Sequence, residues 1–261
     1  MAIKLIATDL DGTLLNSDHK APREFFSWVE RHPEIHTVIA SGRQYQTLKE
    51  MFSSLGSHVL YCGDNGGFIF HKDQKLYSNP IEEEDLRKAV RFMGHIPGTC
   101  LVLCGAKSAY VEPMSEEAEK VIRMFFASLT IVDDLNDIIG HDEIVKMSIY
   151  EENGQAEEIY PLLPDLGDHI QKVLSEKRWI DIQLKSTNKG RAIRFLQDRF
   201  DISPEECMAF GDYLNDYTMM ENCHFSFAMD NAHPDLKKVA NFQTASNDHM
   251  GVVTILNTMT E

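Results

Sequence analysis

The chain has 261 residues, enough for one large domain or two moderate ones around a substantial core. Its formal net charge of -16 speaks against a nucleic-acid or anionic-membrane surface, which would want a basic patch, but leaves room for an anionic small substrate held by a local cation and a metal. The five cysteines (Cys62, Cys100, Cys104, Cys207, Cys223) are odd in number and lack zinc spacing; no apolar run reaches the roughly 18 residues of a membrane span, and no leader precedes Ile3, so reduced thiols in a cytoplasm are expected.

Residues 3–8 form an apolar, β-prone run and predict a buried strand ending at Asp9-Leu10-Asp11-Gly12-Thr13. Two carboxylates one residue apart, in a loop that Gly12 lets turn tightly, can divide nucleophilic attack from proton transfer. Together they can also hold a hard cation such as Mg2+. Taken alone, the pentad also suits an ordinary Asp-Gly turn. Pro22 is expected in the first turn of a helix carrying Phe25, Phe26, Trp28 and Val29 to the core. His36–Ala40 predicts a second strand, ending at Ser41-Gly42-Arg43. A hydroxyl followed by the first N–H groups of a helix makes an oxyanion seat, or simply a cap. Residues 44–55 read as one helix ending at Gly56. The strand His58–Cys62 runs into Gly63-Asp64-Asn65-Gly66-Gly67, where a hairpin is favoured and a ligand role for Asn65 is secondary.

From Ile81 the character changes. Glu82 to Asp85 read as a solvated helix start. Residues 82–186 alternate helix-like and strand-like pieces: strands at 99–104, 109–111, 144–150 and 179–184, helices at 116–126, 155–163 and 167–176. Met124, Phe125 and Phe126 are expected in the core of this block. It holds no compact catalytic set and reads as an inserted α+β domain. Chemistry resumes at Asn188-Lys189-Gly190, just before a helix over 191–200, and at Gly211-Asp212-Tyr213-Leu214-Asn215-Asp216 after the strand 207–210. Further strands are predicted at 225–229 and 241–244, with helices at 233–240 and 251–258.

Strands alternating with helices through residues 1–81 and 187–261 predict a doubly wound parallel α/β sheet. Each motif falls at a strand end, so Asp9, Asp11, Ser41, Lys189 and Asp212 can converge on one edge. That inventory suits phosphoryl transfer through an aspartyl-phosphate. Carboxylates repel a phosphate dianion unless a divalent ion and a lysine intervene, so the acids imply the metal.

The four motifs, in this order, resemble those of the haloacid dehalogenase superfamily. Within it the chain is similar to the Cof-like phosphatases, which carry a large α/β cap of the IIB type between the second and third motifs, here at 82–186. Asn65-Gly66 and Asn247 through Gly251-Val252 match lesser Cof-like features. The resemblance implies a Rossmann-like core, Asp9 as nucleophile and Asp11 as the acid and base. It implies Mg2+ held by Asp9, the backbone carbonyl of Asp11, and Asp212. Ser41, Lys189 and Asn215 would bind the phosphoryl oxygens, with backbone N–H groups of Gly12 and Gly42. Asp216 would support the metal's water shell or Lys189. Tyr213, where the group often has a smaller or polar residue, would narrow the pocket. The expected activity is hydrolysis of a small phosphomonoester, a sugar phosphate or a phosphorylated cofactor, with no nucleic-acid or membrane partner. A phosphomutase and a non-catalytic phosphate-binding protein are the alternatives; oligomeric state is left open.

Overall fold

The structure, a computed structural model, describes residues 2–93 and 96–259. In chain order it runs β1 (Leu5–Thr8), α1 (Arg23–Arg31), β2 (His36–Ala40), α2 (Tyr45–Met51), β3 (Val59–Gly63), β4 (Phe68–His71), β5 (Gln74–Ser78), α3 (Glu83–Met93), β6 (Thr99–Gly105), β7 (Ala109–Val111), α4 (Glu116–Phe125) and β8 (Leu129–Ile131). It continues with β9 (Ile144–Glu151), α5 (Ala156–Ile159), β10 (Ile170–Glu176), β11 (Trp179–Leu184), α6 (Lys189–Phe200), β12 (Cys207–Gly211), α7 (Tyr217–Glu221), β13 (Phe225–Met229), α8 (Pro234–Val239), β14 (Phe242–Thr244) and α9 (Gly251–Thr258). Two compact units emerge: the described residues of 1–42, 51–77 and 188–261, and those of 43–50 and 78–187. No helix among the described residues is long and apolar enough to cross a membrane.

The first unit is built on a sheet of order β14-β13-β12-β1-β2-β3-β4-β5. From β14 to β3 all neighbours are parallel, and β4 turns back antiparallel on β3. Strands β1, β3 and β12 are buried at every residue, as continuous apolar runs covered on both faces should be. In α1, Phe25, Trp28 and Val29 share the buried stripe, and Trp28 Nε1 donates to the Leu256 carbonyl of α9 at 3.1 Å. Strand order reverses between β1 and β12, so the loops after these two strands flank the switch point where such sheets place ligands.

The second unit is a mostly antiparallel sheet of order β10-β11-β9-β6-β7-β8, in which only β7 and β8, among the described pairs, run parallel. Leu86, Ala89, Val90 and Met93 of α3 cluster with Leu101, Leu103, Met147, Ile149, Ile180 and Ile182. Ala118 and Ile122 of α4 cluster instead with Val102, Tyr150 and Trp179. Alternate residues of β6, β9 and β11 thus serve opposite faces.

Several local expectations are corrected. Residues 167–176 are not a helix; Ile170–Glu176 pairs antiparallel with β11. Ile170, Val173 and Leu174 have helical spacing, but only Ile170 is buried, and the hairpin's ladder hydrogen bonds decide the conformation. The helix expected over 44–55 ends at Met51 and gives way to a 3-10 segment, with Gly56 at φ 52°. Pro22 is the cap residue before α1 and not part of its first turn. Phe126 is buried, whereas Met124 and Phe125 are exposed. Asp85 is not a solvated acid: it is buried and lies 2.7 Å from His169 Nε2. The short strand β8 was not anticipated.

Candidate active site

Asp9 follows β1 directly, and its backbone N–H donates to the Phe210 carbonyl of β12 at 3.0 Å. That bond brings the ends of two central strands side by side and sets Asp9 next to the loop that carries Asp212. Lys189 is the first residue of α6, not the residue before it, and Asn188 is the cap, accepting from the Arg191 N–H at 2.8 Å. The side chain of Lys189 is fully buried. Its ammonium reaches Asp9 Oδ1 at 2.5 Å and Asp216 Oδ1 at 2.6 Å. Asp216 Oδ2 in turn accepts the backbone N–H groups of Asp212 and Tyr213 at 3.0 and 3.2 Å. Both oxygens of Asp216 are therefore engaged, one on the lysine and one on the loop that carries Asp212.

Asp212 Oδ1 accepts from Thr13 Oγ1 at 3.0 Å, and the Asp212 carbonyl accepts from the His233 N–H at 2.8 Å. Gly12 packs so closely on this carboxylate that a Cβ there would collide with it, and its φ of 79° is the left-handed conformation a glycine adopts without strain. Carboxylate oxygens of Asp9, Asp212 and Asp216 lie within 4.8 Å of one another.

Three carboxylates around one ammonium have an electrostatic consequence. Burial pushes the Asp9 carboxyl well above its ordinary range; Lys189 pulls it down, while Asp216 and Asp212 push it up. Burial and then the charge of Asp216 raise Asp212 to about 6. Burial opposes the charge on Lys189, but Asp216 and Asp9 outweigh it and hold the ammonium above the usual lysine range. Three acids against one lysine leave two excess negative charges when all are ionised. All-oxygen donors with that excess fit a hard divalent cation such as Mg2+. Asp9 and Asp212 offer the better lone pairs, because Asp216 spends both oxygens on protein donors.

A second cluster gathers at the ends of β2 and β3. Ser41 is buried, and its carbonyl accepts from the Asn65 N–H at 2.9 Å. Asn65 has φ 55°, and its amide atoms lie 3.2 Å from where a Cβ on Gly42 would stand. Asn65 Oδ1 accepts from Asn215 Nδ2 at 3.1 Å. Asn215 neighbours Asp216 in the chain, so this bridge ties the Ser41–Asn65 cluster to the acid loop. Asp11 is not among the three clustered carboxylates of Asp9, Asp212 and Asp216. Its side chain is 47% exposed, with His19 Nδ1 at 3.7 Å. Tyr213, expected to narrow the pocket, is 56% exposed with its ring edge-on against His233.

Sequence reasoning left out Thr13, which holds Asp212, and Asn188 and Thr218, which set the start of α6. Thr218 Oγ1 donates to Asn188 Oδ1 at 3.2 Å and accepts the Gly190 N–H at 3.1 Å. Thr13 stands inside the first motif, and Asn188 has the side chain and place of a cap. Thr218 carried no signal.

A family model of haloacid dehalogenase-like hydrolases matches residues 6–256. The chain is 27% identical over 262 residues to the 5-amino-6-(5-phospho-D-ribitylamino)uracil phosphatase YbjI of Escherichia coli strain K12, covering 98% of this chain and 96% of that one. The crystal structure of SMU.1108c from Streptococcus mutans UA159 is similar at TM-score 0.82 and 29% identity, over 98% of each chain. The fold is also that of the subclass IIB sugar phosphatase BT4131, at TM-score 0.75 and 22% identity over 98% of this chain and 99% of that one. The resemblance read from the four motifs, and the α/β fold class with its inserted α+β segment, are borne out.

Proposed function

The chain belongs to the haloacid dehalogenase-like hydrolases and is one of their phosphatases, and on that premise we propose that it hydrolyses small phosphomonoesters with Mg2+, through an aspartyl-phosphate at Asp9. The observation that carries this reading is Lys189, fully buried between Asp9 and Asp216 beside Asp212. A buried ammonium directed at a strand-end carboxylate orients that carboxylate and supplies positive charge where a phosphoryl group would arrive.

Asp9 attacks phosphorus. Asp11, two residues on and partly exposed, gives its proton to the leaving alcohol and then takes one from the water that hydrolyses the acyl phosphate. Ser41, Lys189 and Asn215 bind the phosphoryl oxygens, with N–H groups of Gly12 and Gly42. Asn65 holds Asn215 in place, and Asp216 anchors Lys189. Asp9, Asp212 and the Asp11 carbonyl would hold Mg2+, which when bound supplies Lewis-acid polarisation and charge neutralisation at the phosphoryl oxygens. Residues 1–81 and 187–261 act as the catalytic core, and 82–186 select the leaving group. The Escherichia coli relative is named for a phosphorylated ribitylamino compound, which supports phosphorylated sugars, sugar alcohols or phosphorylated cofactors as the substrate class.

Phosphate release from a panel of such esters tests the proposal. It should require Mg2+, stop with EDTA, and be absent from a folded Asp9→Asn variant. Release that survives either EDTA or that substitution would overturn it.

A further inference from the structure

The loop that begins at Asp11 is held from a distance. Its own backbone ties it locally: Asp11 and Leu15 form an isolated bridge, the N–H groups of Thr13 and Leu15 both donate to the Leu10 carbonyl, and a tight turn closes Asn16 on Lys20. Further on, three backbone groups find side-chain partners more than two hundred residues away. The Gly12 carbonyl accepts from Asn231 Nδ2 at 2.7 Å. The Leu15 carbonyl accepts from Asn247 Nδ2 at 2.9 Å. The Ser17 N–H donates to Asp248 Oδ1 at 2.8 Å, and its hydroxyl to Asp248 Oδ2 at 2.7 Å. The donors are themselves joined, since the Asn247 N–H donates to Asn231 Oδ1 at 3.2 Å.

Asn231, Ser17 and Asp248 are exposed, so water competes for these bonds and they add little to folding. What they fix is geometry. Gly12 follows Asp11 at φ 79°, a residue able to swing through conformations closed to others. Anchoring its carbonyl fixes the peptide just beyond the carboxyl that must transfer the proton.

We propose that Asn231, Asn247 and Asp248 are positioning residues for Asp11, an inference that rests on the function proposed above. In the first step an Asp9 oxygen bonds to phosphorus, the bond from phosphorus to the ester oxygen breaks, and the Asp11 proton goes to that oxygen. In the second, a water oxygen bonds to phosphorus, its proton passes to Asp11, and the bond to Asp9 breaks. An alkoxide leaving group needs the proton in the first step, whereas p-nitrophenolate leaves without it. The ratio kcat/KM reports only the steps through the first irreversible one, so it separates the two kinds of ester.

The test compares kcat/KM for an alkyl phosphate and for p-nitrophenyl phosphate in wild-type protein, Asn231→Ala and Asp248→Ala, with folding checked by thermal melts. A displaced general acid should lower the alkyl value about tenfold or more while the aryl value stays within about twofold. Ser17→Ala, which deletes one exposed hydrogen bond, should shift the ratio in the same sense and carries the test if the larger changes unfold the chain. An equal loss on both esters, or no loss on either, would overturn the inference. Wild-type protein inactive on both would instead overturn the roles of Asp9 and Asp11, and this inference with them.

Discussion

Lys189 keeps its charge where water does not reach, and two carboxylates make that possible. Removing one member of a buried ionic group leaves the others uncompensated, typically at about 3–5 kcal/mol. Lys189→Met should therefore cost stability of that order in metal-free urea unfolding, besides abolishing turnover; near wild-type stability would mean that Asp9 and Asp216 do not depend on the ammonium. That Asp9, Asp212 and Lys189 come together was legible because each stands beside a glycine or an apolar run that marks a strand or helix end, whereas Asp11 is not among the clustered carboxylates. The anchoring of Lys189 by Asp216 was legible only as one of two options. The two residues are 27 apart, and only the side-chain geometry shows that both Asp216 oxygens go to protein donors.

At the scale of the element, the site depends on where α6 begins. Asn188 caps it and ties it to Thr218, so Lys189 enters the cluster from the first helical position. Asn188→Ala should cost about 1 kcal/mol, the usual value of such a cap. Urea denaturation measures it, and an unchanged midpoint would show that packing alone sets the helix start. Elements whose periodicity agrees with their pairing were read with the right bounds: β2, β13 and α9 match their predicted spans. β10 was misread because its three apolar residues have helical spacing while the conformation is decided by a partner strand. β8 is as short as β7, but β7 is buried at every residue while β8 is mostly exposed, so no buried apolar run marks it and it exists by pairing with β7.

For the whole molecule, the acid cluster links stability to both protons and metal. Asp212, at about 6 in the metal-free fold, lies above its unfolded value of about 3.9. Between those values the folded state binds more protons than the unfolded one, so this group's contribution makes the metal-free protein more stable as pH falls from about 7 towards 4. Mg2+ competes with the same proton. Its stabilising effect should be largest above about pH 6 and fade below it. Calorimetric melts across that range, with Mg2+ or EDTA, measure both trends; a Mg2+ effect that does not weaken at low pH would contradict the ligand role of Asp212. The division of the sequence into α/β halves around a segment without catalytic types was visible in the order of its motifs. That residues 43–50 group with the second unit was not, because it follows from side-chain bonds such as those of Gln44 to the Ser128 backbone at 3.0 and 3.1 Å.

The central claim is that Asp9 takes the phosphoryl group and Asp11 returns it to water. The measurement that tests it most directly is peptide mass analysis of Asp11→Asn protein, rapidly quenched after mixing with p-nitrophenyl phosphate and Mg2+. The first step proceeds with this leaving group and the second lacks its base, so a phosphoryl mass should accumulate on the peptide carrying Asp9. Release of p-nitrophenol beyond one equivalent with no phosphoryl adduct at Asp9 would contradict the account.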